Sequence, residues 1–253
     1  MSRQSETSNE ANPQRRAKKR RVTCAVLNHE GSMNLVHKWA WTILSLVSIG
    51  LLAASIENWI PINPTEVFGF ITGAVCVLLV VEQNIWNFPV GIANNIFFIV
   101  LFLSSRLYGD MALQVAYILL GLIGWWQWLH GGTNRTELHV NHMSVREILI
   151  LSLIGAVATA GMREYFITIN DSAPFLDALT TALSLIAQYL LNYKRMENWF
   201  VWITADLIYV GLYVQKELYL TAILYALFIG LCIAGYISWR KSEFESSKEI
   251  SVQ

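Results

Sequence analysis

The sequence repeats itself at a distance of 111 residues without a gap. In that alignment Asn87 to Trp128 falls on Asn198 to Trp239, and the pairs Val90/Val201, Tyr108/Tyr219, Gly124/Gly235 and Trp128/Trp239 are identical. Both copies run in the same direction along the chain. In a membrane protein, a repeat of this kind indicates two similar helix bundles with a pathway between them.

Long apolar stretches separated by short polar ones account for the composition. The 253 residues are 55% hydrophobic and 14% charged, and the mean hydropathy is +0.43. About 20 apolar residues cross a bilayer as a helix. Little chain is left for a soluble domain. The predicted spans are 36–56, 65–82, 87–104, 110–129, 147–166, 174–193, 198–214 and 218–239.

The repeat predicts how these spans are arranged. Residues 65–129 and 174–239 each form a unit of three helices, and span 147–166 lies between the units. Four spans separate corresponding helices, so the two units enter the membrane in the same sense. The predicted fold is therefore an all-α integral membrane protein with a SWEET-like parallel repeat (3+1+3) and one extra helix at the amino end.

Charge predicts the orientation in the membrane. Six basic residues between Arg15 and Arg21 precede the first span. With the amino end inside, most Lys and Arg side chains of the loops face the cytoplasm, as expected for inner-membrane proteins. We expect a disordered basic cytoplasmic tail over 1–34, a transmembrane domain over 35–240 and a cytoplasmic tail over 241–253. A nucleic-acid-binding arm is the less favoured reading of the tail, and Met33 is an alternative start.

No cofactor is predicted. Cys24, Cys76 and Cys232 are scattered along the chain, and the latter two lie within apolar stretches, so no disulfide framework or metal knuckle is indicated. His139 and His142 have no Cys or carboxylate partner at ligand spacing, so a metal site is not expected. The sequence contains no phosphate-binding Gly-x-x-x-x-Gly-Lys-Ser/Thr motif, which leaves nucleotide-driven transport without support.

Span 198–214 carries a polar and aromatic stripe. Trp199, Trp202, Asp206, Tyr209 and Tyr213 follow one another at steps of three or four residues, so they share one helix face. A carboxylate near the middle of a span needs a proton, a polar partner or a cationic ligand. The neighbouring rings can stack on a planar ring and attract a cation. An aromatic belt with Asp206 bonded to another helix is the alternative.

A second polar stripe lies on span 174–193. Asp177, Thr181, Ser184, Gln188 and Asn192 recur at the same helical spacing. They either line a cavity or hold helices together through hydrogen bonds. Within this stripe, Ser184 and Gln188 are predicted to bind the solute.

The first copy offers amides where the second copy has other groups. Asn87 and Asn95 lie on span 87–104, and Asn95 occupies the position of Asp206. Gln114 on span 110–129 occupies the position of Tyr225. All four residues, Asn87, Asn95, Gln114 and Tyr225, are predicted to bind the solute. Amides, one carboxylate, hydroxyls and aromatic rings together suit a small, neutral-to-cationic polar solute with a flat ring.

Several motifs occur together along the apolar part of the chain. They are Trp86-Asn87-Phe88-Pro89-Val90-Gly91-Ile92, Leu107-Tyr108-Gly109-Asp110, Gly124-Trp125-Trp126-Gln127-Trp128, Asp177-Ala178-Leu179-Thr180-Thr181 with Gln188, Trp199-x-x-Trp202 and Leu218-Tyr219-Leu220-Thr221-Ala222-Ile223-Leu224-Tyr225. Together they resemble the motifs of the PnuC family of nicotinamide riboside transporters, and the resemblance covers about residues 36–240.

The resemblance implies a SWEET-like carrier of the bacterial inner membrane, often a homotrimer. Such a carrier equilibrates a vitamin precursor, which a cytosolic kinase then traps by phosphorylation. One position differs, because riboside carriers of this family have Asn where this chain has Asp206. The resemblance thus leaves thiamine or another cationic vitamin precursor as the alternative solute. An intramembrane enzyme is a distant alternative, since Gly109-Asp110 is similar to the Gly-Asp of membrane aspartyl proteases but no second Asp lies in a matching context.

Overall fold

The computed structural model describes residues 41–42, 44–57, 64–104, 108–170, 173–215 and 219–250. The predicted basic tail over 1–34, with Cys24 and Met33, lies outside the described residues. Contacts divide the chain into two compact units, residues 1–67 and residues 68–253. All the contacts discussed below lie within the second unit.

Helices make up nearly all of the described chain, with a short 3-10 turn at Thr133–Arg135. Eight helices lie in the described ranges: α1 Leu44–Ile56, α2 Pro64–Val81, α3 Asn87–Ser104, α4 Tyr108–His130, α5 Val145–Thr168, α6 Pro174–Asn192, α7 Asn198–Gln215 and α8 Tyr219–Ile250. Among them, four contain segments long and apolar enough to cross a membrane: Met111–His130, Val145–Thr168, Pro174–Asn192 and Ala222–Ser246.

The helices follow the predicted spans closely, with one clear difference at the carboxyl end. The last span was predicted to end at residue 239, whereas α8 continues to Ile250. Residues 241–250 are mostly polar, with Phe244 and Ile250 as the exceptions, so the end of this helix can extend into water. The extension carries a Lys241–Glu245 ion pair at 3.6 Å, at the i,i+4 spacing that supports exposed helices.

Two tryptophans make the same hydrogen bond at positions related by the 111-residue shift. Trp128 donates its indole N–H to the carbonyl of Leu191 at 3.1 Å. Trp239 donates in the same way to the carbonyl of Val80 at 2.9 Å. Each bond joins one copy of the repeat to the other, because Leu191 is the counterpart of Val80. Each of these carbonyls also accepts from a backbone N–H of the following turn, Gln83 N to Val80 O at 2.9 Å and Lys194 N to Leu191 O at 3.0 Å, so the indole bond is an additional one.

The turns after α2 and α6 also match. Gln83 and Lys194, again 111 residues apart, both have positive φ angles, 53° and 48°. Four residues after each of them, an asparagine side chain donates to a backbone carbonyl of the turn. Asn87 Nδ2 donates to Asn84 O at 2.7 Å, and Asn198 Nδ2 donates to Arg195 O at 2.6 Å. We call residues 82–86 and 193–197 the loop end of the molecule.

Buried aromatic rings pack beneath the loop end. Phe88 lies edge-on to Trp128 with ring centroids 5.1 Å apart, and Trp199 lies edge-on to Trp239 at 5.2 Å. The two pairs are in contact through Trp128 and Trp239, whose ring centroids are 6.0 Å apart. All four rings are at most 3% exposed. We call Phe88, Trp128, Trp199 and Trp239 the aromatic plug.

Candidate functional site

A cavity of about 610 Å³ lies between α2, α3, α4, α6, α7 and α8. Phe88 and Trp199 of the aromatic plug form its boundary toward the loop end. Tyr213 and Tyr225 line it further along α7 and α8. The volume falls within the range of about 300–1,000 Å³ that small-molecule sites occupy in proteins.

The structure places all ten residues predicted to bind the solute around this one cavity. They are Asn87, Asn95, Gln114, Ser184, Gln188, Trp199, Trp202, Asp206, Tyr209 and Tyr225. Helical spacing within each span, combined with the 111-residue shift, was enough to select them. Their role in binding stays a prediction.

Asp206 lies in the wall that α7 contributes, and its side chain is 6% exposed. Among the described residues, its hydrogen-bond contact is the thiol of Cys232 on α8, at 3.9 Å. A thiol is a weak donor, so this contact compensates little of the cost of burying a carboxylate. The carboxylate is therefore placed to interact with a cationic or hydrogen-donating solute in the cavity.

Three tyrosines lie close together in the same wall. Ring centroids of Tyr209 and Tyr225 are 4.7 Å apart, those of Tyr213 and Tyr225 are 5.3 Å apart, and those of Tyr209 and Tyr213 are 6.1 Å apart. Aromatic faces carry partial negative charge, so such a cluster attracts a positively charged ring. Asp206 lies three residues before Tyr209, on the same helix face.

Trp199 carries a buried indole N–H for which no hydrogen-bond partner exists among the described residues. The side chain is 1% exposed and lines the cavity. Buried polar groups are nearly always paired in native proteins, and an unpaired one requires an explanation. The nitrogen itself is sealed from the cavity, so a solute atom would reach it only after the ring turns. Its counterpart in the first copy, Phe88, has no such group.

The polar stripe on α6 divides between two roles. Ser184 and Gln188 line the cavity. Asn192 instead holds helices together, because it donates to the carbonyl of Leu120 on α4 at 2.8 Å and accepts from Gln188 at 3.1 Å. The hydroxyl of Thr181 bonds within its own helix to the carbonyl of Asp177 at 2.7 Å. Both readings of the stripe thus apply, to different residues.

The first copy contributes a wall of amides and small residues. Asn95 and Gln114 line the cavity, beside Asn94, whose side-chain oxygen accepts from Thr72 at 2.7 Å. Asn87 also lines it, but its amide nitrogen is used in the turn before α3. Gly91 leaves open space where its counterpart, Trp202, places an indole ring.

The two walls therefore differ in chemistry although the backbone repeats. Asn95 faces the cavity in the position equivalent to Asp206, and Gln114 in the position equivalent to Tyr225. One wall presents neutral donors and acceptors, and the other presents rings and a carboxylate. A solute with a flat cationic part and a hydroxylated part would be held in one orientation.

Sequence reasoning did not include some of the lining residues. Tyr213 and Tyr117 were visible on the right helix faces but were not selected, and Phe228 and Cys232 were missed. A signal was present, since Phe228 is the counterpart of Tyr117 and Cys232 is the counterpart of Gly121. Applying the 111-residue shift to every lining position would have found both.

Charged side chains cluster outside the cavity, at the loop end. His142 lies 2.9 Å from Glu197 and 3.1 Å from Glu243. Arg195 pairs with Glu147 near the start of α5 at 2.9 Å. The hydrogen bond to Glu197 and the nearby negative charges raise the pKa of His142 above its ordinary value. Within the described ranges, no three His, Cys, Asp or Glu side chains are grouped to hold a metal ion.

This chain is similar to known transport proteins. Residues 63–241 match the family model described as nicotinamide mononucleotide transporter. The nicotinamide riboside transporter PnuC of Neisseria mucosa is 26% identical over 183 residues, covering 68% of this chain and 70% of that protein. The Escherichia coli protein of the same name is 23% identical over 206 residues, covering 71% and 86%.

A further relative and a solved structure are also similar to this chain. The riboflavin/roseoflavin transporter RibM of Streptomyces davaonensis is 22% identical over 183 residues, covering 69% of this chain and 84% of that protein. Among solved structures, the crystal structure of the vitamin B3 transporter PnuC superposes with a TM-score of 0.60 at 24% identity, covering 80% of this chain and 91% of that one. The backbone described above thus has the same fold as a vitamin transporter.

Proposed function

Because this chain belongs to the nicotinamide mononucleotide transporter family, whose model matches residues 63–241, we propose that it carries nicotinamide riboside across the bacterial inner membrane. The observation that carries the proposal is the cavity itself, where a buried carboxylate and a cluster of tyrosines face a wall of amides. Two relatives named nicotinamide riboside transporters support the choice of solute.

The groups of the cavity match the parts of this solute. Nicotinamide riboside joins a positively charged aromatic ring with a carboxamide to a hydroxylated sugar. The positively charged ring fits the faces of Tyr209 and Tyr225 near Asp206. The sugar hydroxyls can exchange hydrogen bonds with Asn95 and Gln114 across the cavity.

The internal repeat supports a transport mechanism of the SWEET type. Residues 65–129 and 174–239 would form two three-helix units joined through α5, and rocking between them would expose the cavity to each side in turn. Transport would be facilitated diffusion, with phosphorylation in the cytosol trapping the solute. No energy source within this chain is then needed.

The proposal also covers the orientation of the chain in the membrane and its oligomeric state. The distribution of Lys and Arg favours both termini in the cytoplasm, which puts the loop end on the cytoplasmic side. We further propose a homotrimer. The family resemblance is the support for this assembly.

Thiamine is the second candidate solute, and Asp206 favours it. Thiamine is also a flat-ring cation, and it carries an amino group that could donate to a carboxylate. The first copy has the neutral Asn95 at the position of Asp206. The charge of Asp206 could therefore determine selectivity between thiamine and nicotinamide riboside.

A competition binding assay tests the proposal. Purified protein is loaded with labelled nicotinamide riboside, and unlabelled riboside, thiamine and riboflavin are titrated against it. We expect the unlabelled riboside to displace the label at the lowest concentration. Displacement by thiamine at a lower concentration would move the assignment to the second candidate, and failure of folded protein to bind either compound would contradict both.

A matched pair of variants on α6 ties the binding to the cavity. Gln188→Met removes an amide that lines the cavity, whereas Thr181→Val removes a hydroxyl that is bonded within its own helix and lies outside the lining. Loss of one neutral hydrogen bond contributes roughly 0.5–1.5 kcal/mol. We expect Gln188→Met to weaken riboside binding severalfold and Thr181→Val to leave it unchanged. Equal effects would argue against this cavity as the site.

A further inference from the structure

Lys194 is a buried lysine at the loop end. Its side chain is 7% exposed, and its ammonium donates to the side-chain oxygen of Gln83 at 3.0 Å. The same nitrogen lies 4.5 Å from the centroid of the Trp128 ring, a distance typical of a cation–π contact. Burial lowers the pKa of Lys194 to about 8, with Glu137 as the neighbouring charge that opposes the shift. The ammonium is therefore the main form at neutral pH.

The bond between these two side chains crosses the internal repeat. Gln83 and Lys194 are counterparts under the 111-residue shift, so each lies at the same place in its own turn. The contact thus joins the two copies at the loop end. Just beneath it, the aromatic plug closes the cavity, and the indole bonds of Trp128 and Trp239 also cross between the copies.

We propose that Lys194 and Gln83 form a latch that holds the loop end of the cavity shut. The proposal rests on the proposed function, because a carrier that rocks must separate its two copies at this end once in each cycle. Separation would break the Lys194–Gln83 bond and withdraw the ammonium from Trp128. Lys194 is a positioning residue in this scheme, since neither it nor Gln83 lines the cavity.

The symmetry of the two turns provides a sharp test by exchange. Lys194→Gln would place two amides opposite each other, and Gln83→Lys would place two ammonium groups together. The double variant Gln83→Lys/Lys194→Gln restores one amide and one ammonium. In that variant the new lysine would lie near Trp239, the counterpart of Trp128. Lys241→Met is the control, because Lys241 at the same end pairs within its own helix.

The readout is the reaction of a cavity thiol in the absence of solute. Cys76 lines the cavity and is the reporter, in a background of Cys24→Ser and Cys232→Ala. A membrane-impermeant thiol reagent is applied to inside-out and right-side-out vesicles. His139→Cys, exposed in the segment before α5, identifies the loop-end side. Binding of riboside is measured separately on the latch variants with Cys232 intact, because Cys232 contacts Asp206 in the cavity wall.

Each single variant should raise the labelling rate of Cys76 from the loop-end side by about tenfold, which corresponds to about 1.4 kcal/mol. The double exchange should return the rate toward that of the unaltered latch, and Lys241→Met should not change it. Equal rates in all variants would overturn the latch. An exchange that labels as fast as the single variants would also overturn it. If Lys194→Gln does not fold, Gln83→Leu tests the same bond. Absence of riboside binding would count against the proposed function alone.

Discussion

Gly235→Ala is expected to damage solute binding through a single methyl group. A Cβ atom built on Gly235 would lie 2.3, 2.4 and 2.5 Å from three atoms of the Trp199 ring. Ordinary van der Waals contact begins near 3.4 Å, so the indole would have to retreat by about 1 Å. The ring is 1% exposed and lies against Trp239, which leaves it no free space behind. It would be forced to tilt in the cavity wall.

Overpacking of this kind costs about 1–3 kcal/mol of folding free energy whether or not solute is bound. Affinity should fall because the displaced indole leaves its place in the cavity wall, and we expect riboside binding to weaken by about tenfold, which corresponds to about 1.4 kcal/mol. Isothermal titration calorimetry on purified protein measures this directly.

Gly230→Ala provides the matched control on the same helix. A Cβ at Gly230 meets nothing within 4 Å. Alanine is the better helix former by about 1 kcal/mol, so this variant should be as stable as the original or slightly more so. Its affinity should be unchanged. If Gly235→Ala bound the solute as well as Gly230→Ala does, the placement of Trp199 in the binding wall would be refuted.

Three further predictions concern single side chains. Trp199→Phe should lower affinity, because it removes ring surface from the cavity wall. Both Trp199→Phe and Trp239→Phe remove buried volume, but Trp239→Phe should lose about 0.5–1.5 kcal/mol more stability, because within the described chain its N–H bonds to Val80 O and that of Trp199 has no partner; the reverse pattern would contradict the assignment. Asp206→Asn should shift preference from thiamine toward nicotinamide riboside in competition binding, and unchanged affinity for both would remove Asp206 from the site. The pKa of His142 is higher in the folded protein than in the unfolded chain. The protonated imidazole therefore stabilises the fold fully below about pH 6.5, the ordinary pKa of histidine, and this stabilisation is lost as the pH rises through the pKa of the folded protein. Thermal unfolding between pH 6 and 8 should show this decline, and His142→Gln should flatten it; parallel curves would show that the pairing does not matter.

The fold was largely predictable because its determinants are periodic. The lengths of the apolar stretches gave helix bounds close to those of the structure, as for Asn87–Ser104 in α3. The 111-residue shift correctly paired Trp128 with Trp239, which make the same bond at equivalent places. The extension of α8 to Ile250 was not predicted, because a polar helix beyond the membrane carries no hydropathy signal.

The cavity residues were predictable as faces, whereas their contacts were not. Helical spacing selected the stripe from Trp199 to Tyr213. It could not show that Asn192 bonds to α4 while Gln188, four residues earlier, lines the cavity. Which side chain of the stripe contacts a neighbouring helix and which one faces the cavity depends on how closely α4 and α6 pack. The unpaired N–H of Trp199 and the Lys194–Gln83 bond likewise depend on tertiary distances.

Uptake by proteoliposomes tests the central claim most directly. Purified protein is reconstituted without ATP, vesicles are loaded with unlabelled nicotinamide riboside, and exchange with external labelled riboside is followed. We expect saturable accumulation of label that excess unlabelled riboside abolishes and that Gly235→Ala strongly reduces. Folded protein that exchanges no riboside, under conditions where the vesicles remain sealed, would contradict the account.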